Sequence, residues 1–378
     1  MPIEFLGIAA LNDGSETRAR SGASFDPGYT LRLARAHEDH GWDRILFAYH
    51  SGAPDPTAAA AFVGSRLERI GILLAHRPNV SYPTYAAKAI ATLDQISGGR
   101  VNVHIITGGS DVDQAAEGDR LSKDERYART GEYIRILKDV WTRRERFDFH
   151  GDHYDFEGFV SDVWPVQQPR PGVSFGGSSP AAYAIGAAES DVYALWGEPL
   201  KDTAEQIATI TAAAAAAGRA ERPRIQVAFR PILGATEELA WAKAEDILRQ
   251  VERRTAELAP GGLAAPENAG SQRLLSIARE GDRYDRALWT KVAAAAGGRG
   301  NSNALVGTPE TVAAALLDYV DLGVDIISAR GYDYVDDTID FGRSVIPLVR
   351  DEVARRDAAS GLTPSVTDET RRERHVAA

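Results

Sequence analysis

The chain has 378 residues, a formal net charge of −11, 44% hydrophobic and 26% charged residues, and no cysteine. That length holds one large domain or two ordinary ones, and the composition is that of a globular protein. It excludes disulfides, thiolate metal ligands and a cysteine nucleophile, and the negative charge weighs against a nucleic-acid partner. No run of ~18 or more apolar residues predicts a membrane span. Met1–Ala10 lacks the basic region and apolar core of a secretory leader, so a cytoplasmic location is expected.

Apolar runs and helical spacing then alternate along the chain. Ile3–Ala9 reads as a strand and Pro27–His40 as a helix; Arg44–Ala48 and Pro56–Leu67 repeat the pair. Ile70–Ala75, Val101–Ile106, Val173–Phe175 and Val192–Leu195 are further strands. Pro83–Ser97 and Lys123–Trp141 are helices, an Ala-rich helix opens at Pro180, and another spans Lys201–Ala217. Strand Ile225–Leu233, helices Thr236–Arg253 and Pro309–Leu322, strand Asp325–Ala329 and helix Thr338–Arg356 complete the series. Eight strands, nearly all followed by helices, predict a parallel sheet, and no strand leads into Gly-x-Gly-x-x-Gly. An α/β protein with a closed (β/α)8 TIM barrel over residues 1–356 is therefore expected, with insertions at the C-terminal face of the strands. His150–Arg170 has a hairpin pattern, Leu258–Asn303 is expected to form a mobile lid, and residues 357–378 a flexible polar tail.

Functional groups in a barrel lie just after the strands. Phe175-Gly176-Gly177-Ser178-Ser179-Pro180 combines glycines, hydroxyls and a helix start, the ingredients of a phosphate cradle. Ser and Pro also suit an ordinary helix cap. The other strand ends offer His50, His76, Arg77, Thr107, Trp196, Glu198, Arg230, Arg330 and Tyr332. This set has no metal pattern, no nucleophile elbow and no Walker loop. A phosphate cradle with aromatics and arginines, but no nucleophile, points to a bound cofactor that does the hard chemistry.

Several ordered motifs resemble the bacterial luciferase-like flavin monooxygenases, nearest the two-component FMNH2-dependent alkanesulfonate monooxygenases. They are Ala91-Thr92-Leu93-Asp94-Gln95-Ile96-Ser97-Gly98-Gly99-Arg100, Ile106-Thr107-Gly108-Gly109-Ser110, Asp124-Glu125-Arg126-Tyr127, the Phe175–Ser179 loop, Trp196-Gly197-Glu198-Pro199 and Ala304-Leu305-Val306-Gly307-Thr308-Pro309. The resemblance spans about Ile3–Val349. It implies the TIM barrel, FMN as FMNH2, and O2 as co-substrate. It also implies a separate NAD(P)H-dependent flavin reductase and a homodimer or homotetramer. Gly177, Ser178, Ser179 and Tyr127 would hold the FMN phosphate, and His104 and Thr107 would lie along the flavin. Arg230, Arg299 and Tyr332 would orient substrate or stabilise oxygen activated on the flavin.

The substrate side departs from that pattern. Ile232 stands where the alkanesulfonate enzymes carry a histidine, and their cysteine after the second strand falls near Ala53. His50 and His76 are new polar groups at the mouth, and Trp196 would wall the pocket. The expected reaction is monooxygenation of a small organic substrate, an organosulfur compound such as an alkanesulfonate, releasing sulfite and an aldehyde. Two rivals are an F420-dependent oxidoreductase on the same barrel and a non-catalytic flavin-binding protein.

Overall fold

The computed structural model describes residues 3–299 and 303–359. Eight parallel strands run in chain order as β1 (Glu4–Ala9), β2 (Arg44–Phe47), β3 (Gly71–His76), β4 (Val101–Ile105), β5 (Val173–Gly176), β6 (Val192–Trp196), β7 (Arg224–Leu233) and β8 (Ile326–Ala329). Each pairs with the next, and β8 pairs with β1, so the sheet closes into the expected (β/α)8 barrel.

Successive side chains of a strand point to opposite faces, and the sequence obeys that period. Phe5, Ile45, Ile72, Val103, Phe175, Ile225 and Ile327 are fully buried in the main core outside the barrel, against the helices. The alternate residues fill the barrel in layers. At the bottom, Glu4 joins Arg44 at 3.2 Å and Arg224 at 2.8 Å. Leu6, Leu46, Leu73, Val192 and Ile326 form the next layer. Above them, His104, Gln226 and Ser328 begin a cavity.

The prolines that predicted helix starts occupy the first turns. Asp26, Asp55, Ser179 and Thr308 cap the helices Pro27–Asp39, Pro56–Gly64, Pro180–Glu189 and Pro309–Asp321, each accepting from a first-turn N–H. The predicted helix Thr338–Arg356 is instead two, Tyr334–Ser344 and Ile346–Ala359. Pro347 explains the break: it has no N–H, and its ring opposes the carbonyl four residues back.

The His150–Arg170 region begins with an antiparallel hairpin of Phe147–His150 and Asp155–Phe159. The 258–303 insertion contains helix Ala269–Glu280, a hairpin of Arg283–Tyr284 and Leu288–Trp289, and helix Lys291–Ala295. Leu274, Leu288, Trp289 and Val292 are buried there. Strand Ala304–Gly307 then pairs with the upper half of β7, Arg230–Leu233. Residues 357–359 of the expected tail end the last helix, and the remainder lies outside the described residues.

The Ala91–Arg100 motif is a structural clamp. Gly98 and Gly99 adopt left-handed φ values of 68° and 85° to end helix Pro83–Ser97. The Asp94 carboxylate then accepts from the Val101 N–H at 3.2 Å and from Gln167 N and Nε2 at 3.0 and 2.7 Å. Arg100 donates to the carbonyls of Ser97, Ile70, Gly64 and Leu67 at 2.6, 2.6, 2.8 and 2.6 Å. Arg100→Ala should therefore lower unfolding free energy by about 3 kcal/mol, read from urea melts, because it strands several buried carbonyls.

Candidate active site

The cavity at the C-terminal mouth holds about 380 Å3 and takes wall residues from all eight strands. Its upper walls are small: Gly7, Ala48, Ala75, Gly176, Ala194 and Ala228 all contribute. Several of these are the inward-facing positions one layer above the bulky Leu6 layer. Small side chains here open the upper level of the barrel into a slot.

One end of the slot is built for an anion. Gly176, Gly177 and Ser178 line it, and Ser179 caps the following helix through the Ala182 N–H. A Cβ on Gly177 would lie 2.6 Å from Ala182 Cβ and 3.4 Å from Tyr127 Oη, so the close approach requires glycine. Tyr193 Oη fixes the loop by donating to the Gly177 carbonyl at 2.8 Å. Two further helix starts lie beside the cavity. Lys123 and Tyr127 belong to helix Lys123–Thr142, capped by Ser122, and Asn268 caps helix Ala269–Glu280 beside cavity residues Ala269 and Gly270. Residues at or next to three helix N-termini, with Lys123, thus border the cavity. Burial raises the Tyr127 phenol and the Ser179 hydrogen bond partly offsets that, so Tyr127 stays neutral and can donate.

Ser178 is tied to the insertion by a hydrogen-bonded chain through buried Gln206 and Glu198. Its hydroxyl donates to Gln206 Oε1 at 3.0 Å, and Gln206 Nε2 donates to Glu198 Oε2 at 2.9 Å. Arg273 of helix Ala269–Glu280 grips the same carboxylate at 2.6 and 2.9 Å. Burial raises Glu198 and Arg273 opposes the rise. Gly197 beside it is obligatory, since a Cβ would meet Phe229 at 2.3 Å.

On the floor, His104 Nδ1 lies 2.9 Å from Ser174 Oγ, and burial lowers its pKa from 6.5 to about 4, so the ring is neutral near pH 7. Thr107 lines the cavity with a buried Oγ1 that has no protein partner. That hydroxyl is free to bond a molecule in the cavity. Trp196 walls the slot and rests against Gly270, where a Cβ would lie 2.9 Å from its ring.

The remaining expected residues lie elsewhere. His50 is exposed and accepts from Gly52 N–H at 3.1 Å. His76 faces away from the barrel interior, stacks on Tyr133 and makes a 2.7 Å hydrogen bond to its hydroxyl. Ile232 packs with Trp289, Val306 and Tyr332 in a separate apolar cluster. Arg299 is exposed and is not among the cavity walls. Arg230 is buried, and its guanidinium lies 3.9 Å over the Tyr332 ring. Glu16, from the loop after β1, binds it in bidentate fashion at 2.9 and 3.2 Å. Arg330, which lines the cavity, donates to the same carboxylate at 2.8 Å.

Sequence reasoning did not single out Tyr49, Lys123, Gln226 and Asn268, all of which line the cavity. Gln226 was within reach, because it shares the inward period of Arg224 and Arg230 on β7. Tyr49 is held by contacts to Glu117, which also accepts from Arg77 at 2.7 Å.

Burial also lowers His37 and His76 from 6.5 to about 4. With His104, these rings bind protons in the unfolded chain, but not the folded one, between pH 6.5 and about 4. Their contribution is therefore intact above pH 6.5 and is lost as pH falls toward 4. The urea midpoint should drop between about pH 7.5 and about pH 5, and His37→Gln should make the drop smaller.

A family model described as luciferase-like monooxygenase matches residues 5–326. Among solved structures, riboflavin lyase (RcaE) with modified FMN and riboflavin aligns with a TM-score of 0.77 at 23% identity, covering 93% of this chain and 92% of that one. EDTA monooxygenase (EmoA) from Chelativorans sp. BNC1 gives 0.74 at 18% identity, covering 96% and 95%. An F420-dependent secondary alcohol dehydrogenase with an F420-acetone adduct gives 0.68 at 17% identity, covering 93% and 100%. At these identities the structures share the fold.

Proposed function

Because the chain belongs to the luciferase-like monooxygenase family, we propose that it is an FMNH2- and O2-dependent monooxygenase of a small organic substrate. The observation that carries this reading is the cavity itself: a slot walled by small residues, with a glycine-serine cradle and the starts of further helices on its walls. Gly177, Ser178, Ser179, Tyr127 and Lys123 would bind the FMN phosphate. Thr107 Oγ1 and the neutral His104 ring would orient the flavin. Bound reduced flavin supplies the electrons that activate O2. The chain's own task is then to position the ring and keep water out, which Trp196 and the insertion helix start do at the mouth.

A separate NAD(P)H-dependent flavin reductase supplies the reduced flavin in this reading, and the protein acts in the cytoplasm. Among the described residues no helix is long and apolar enough to cross a membrane. We also propose a homodimer or homotetramer. Tyr85 and Ile96, 64% and 46% exposed and three turns apart on helix Pro83–Ser97, support a second copy on that face.

FMN is favoured over F420 because Lys123 and Arg330 are the only lysine and arginine among the described cavity walls. An acidic cofactor tail would call for more. An organosulfur substrate remains the working class, but its sulfonate end is not favoured by the geometry, since Glu16 already holds Arg230.

Anaerobic titration should show saturable binding of reduced FMN and none of reduced F420. Gly177→Ala should weaken FMNH2 binding at least ~10-fold with the fold retained, because its Cβ would meet Ala182 and push the loop out of place. With a flavin reductase, FMN and NADH, one member of an organosulfur panel should become oxygenated. FMNH2 binding without product formation from any substrate would favour the storage reading, and F420 binding would favour the oxidoreductase.

A further inference from the structure

We infer that Glu16 is a specificity-determining residue that neutralises Arg230 and Arg330 at the edge of the cavity, which Arg330 lines, so that the substrate is uncharged at the end that meets Arg330. One carboxylate serves three donors: Arg230 through both oxygens, Arg330 at 2.8 Å and the Tyr334 hydroxyl at 3.1 Å. A paired fork is what an arginine offers a sulfonate, sulfate or carboxylate. Here that fork is already filled, and Arg230 Nη2 also donates to the Gly331 carbonyl at 2.8 Å. The Arg230 side chain is 3% exposed and Glu16 32% exposed, so the carboxylate covers a buried cation from the solvent side.

The loop that delivers Glu16 is fixed at several points. Asp26 N–H donates to the Leu11 carbonyl at 2.8 Å, and the Asp13 carboxylate accepts from the Ser21 N–H and hydroxyl at 2.9 and 2.6 Å. Arg18 reaches Asp333 at 3.8 Å. Burial would raise the Glu16 carboxyl, but the attraction of Arg230 and Arg330 outweighs it and keeps Glu16 ionised. An anionic substrate would have to displace one oxyanion with another and would gain little for it. A neutral substrate leaves the carboxylate–arginine pair intact and meets the rest of a mainly small, apolar wall.

This assignment rests on the proposed function for the reaction but not for its test, which uses no flavin and no oxygen. Methanesulfonate is titrated into the full chain by calorimetry, with Glu16→Gln and Glu16→Ala in parallel. The wild-type chain should show no saturable binding that Arg330→Gln removes, whatever the glycine-serine cradle takes up. Either variant should bind with an apparent affinity at least ~10-fold higher, by filling the vacated fork. Adding Arg230→Met to Glu16→Ala should abolish that gain. Wild-type binding that Arg330→Gln removes, or a folded Glu16 variant that gains none, would overturn the assignment. If neither variant folds, the wild-type titration decides: binding that Arg330→Gln removes overturns it, and no such binding supports it. Loss of oxygenase activity with this binding pattern intact would count against the proposed function alone.

Discussion

Closure of eight parallel strands is the constraint on which the rest of this molecule depends. A parallel barrel sends every strand end to one rim, so groups far apart in sequence meet there. It also fixes which residues face inward. Glu4, Leu6 and Ile8 occupy successive levels on β1, as Arg224, Gln226 and Ala228 do on β7. The charged layer at the bottom and the leucine layer above it fill the lower barrel. The change to glycine and alanine one level higher opens the slot. The cavity is therefore a change of side-chain volume within one repeating pattern.

The glycine-serine end shows how that frame is tuned. Gly177 permits the close approach, Tyr193 fixes its carbonyl, and Ser178 is linked through Gln206 and Glu198 to Arg273. The last of these sits on the insertion, whose helix start also lines the slot. Occupancy of the cradle and placement of the insertion therefore share one hydrogen-bonded chain. Glu198 is buried and opposed by a single arginine, so the linkage carries charge as well as geometry.

Much of this was legible in the sequence for physical reasons. The eight strands stood out because outward residues such as Ile72, Val103 and Phe175 must be apolar to meet the helices. Prolines 27, 56, 83, 180 and 309 marked helix starts because their fixed φ and missing N–H suit the first turn. The Phe175–Ser179 loop announced itself by composition. His76 could have been placed by register: Ala75 faces the cavity, so its neighbour must face out. Ile232 follows the inward period of β7, but pairing with Ala304–Gly307 carries it into a side sheet. Glu16 gave no local signal at all. It meets Arg230 across 214 positions, and only the folded rim brings them together.

That ion pair separates two aspects of the site. The proposed cofactor side is formed of backbone N–H groups, hydroxyls and a lysine. The substrate side has its strongest cation already satisfied from within the chain. The most direct measurement of the central claim is a crystal structure of the protein with FMN. The account predicts the ring in the slot between Ala75 and Ala194, with the phosphate on Gly177, Ser178 and Lys123. A phosphate bound instead at Arg330, or a ring outside the slot, would contradict it.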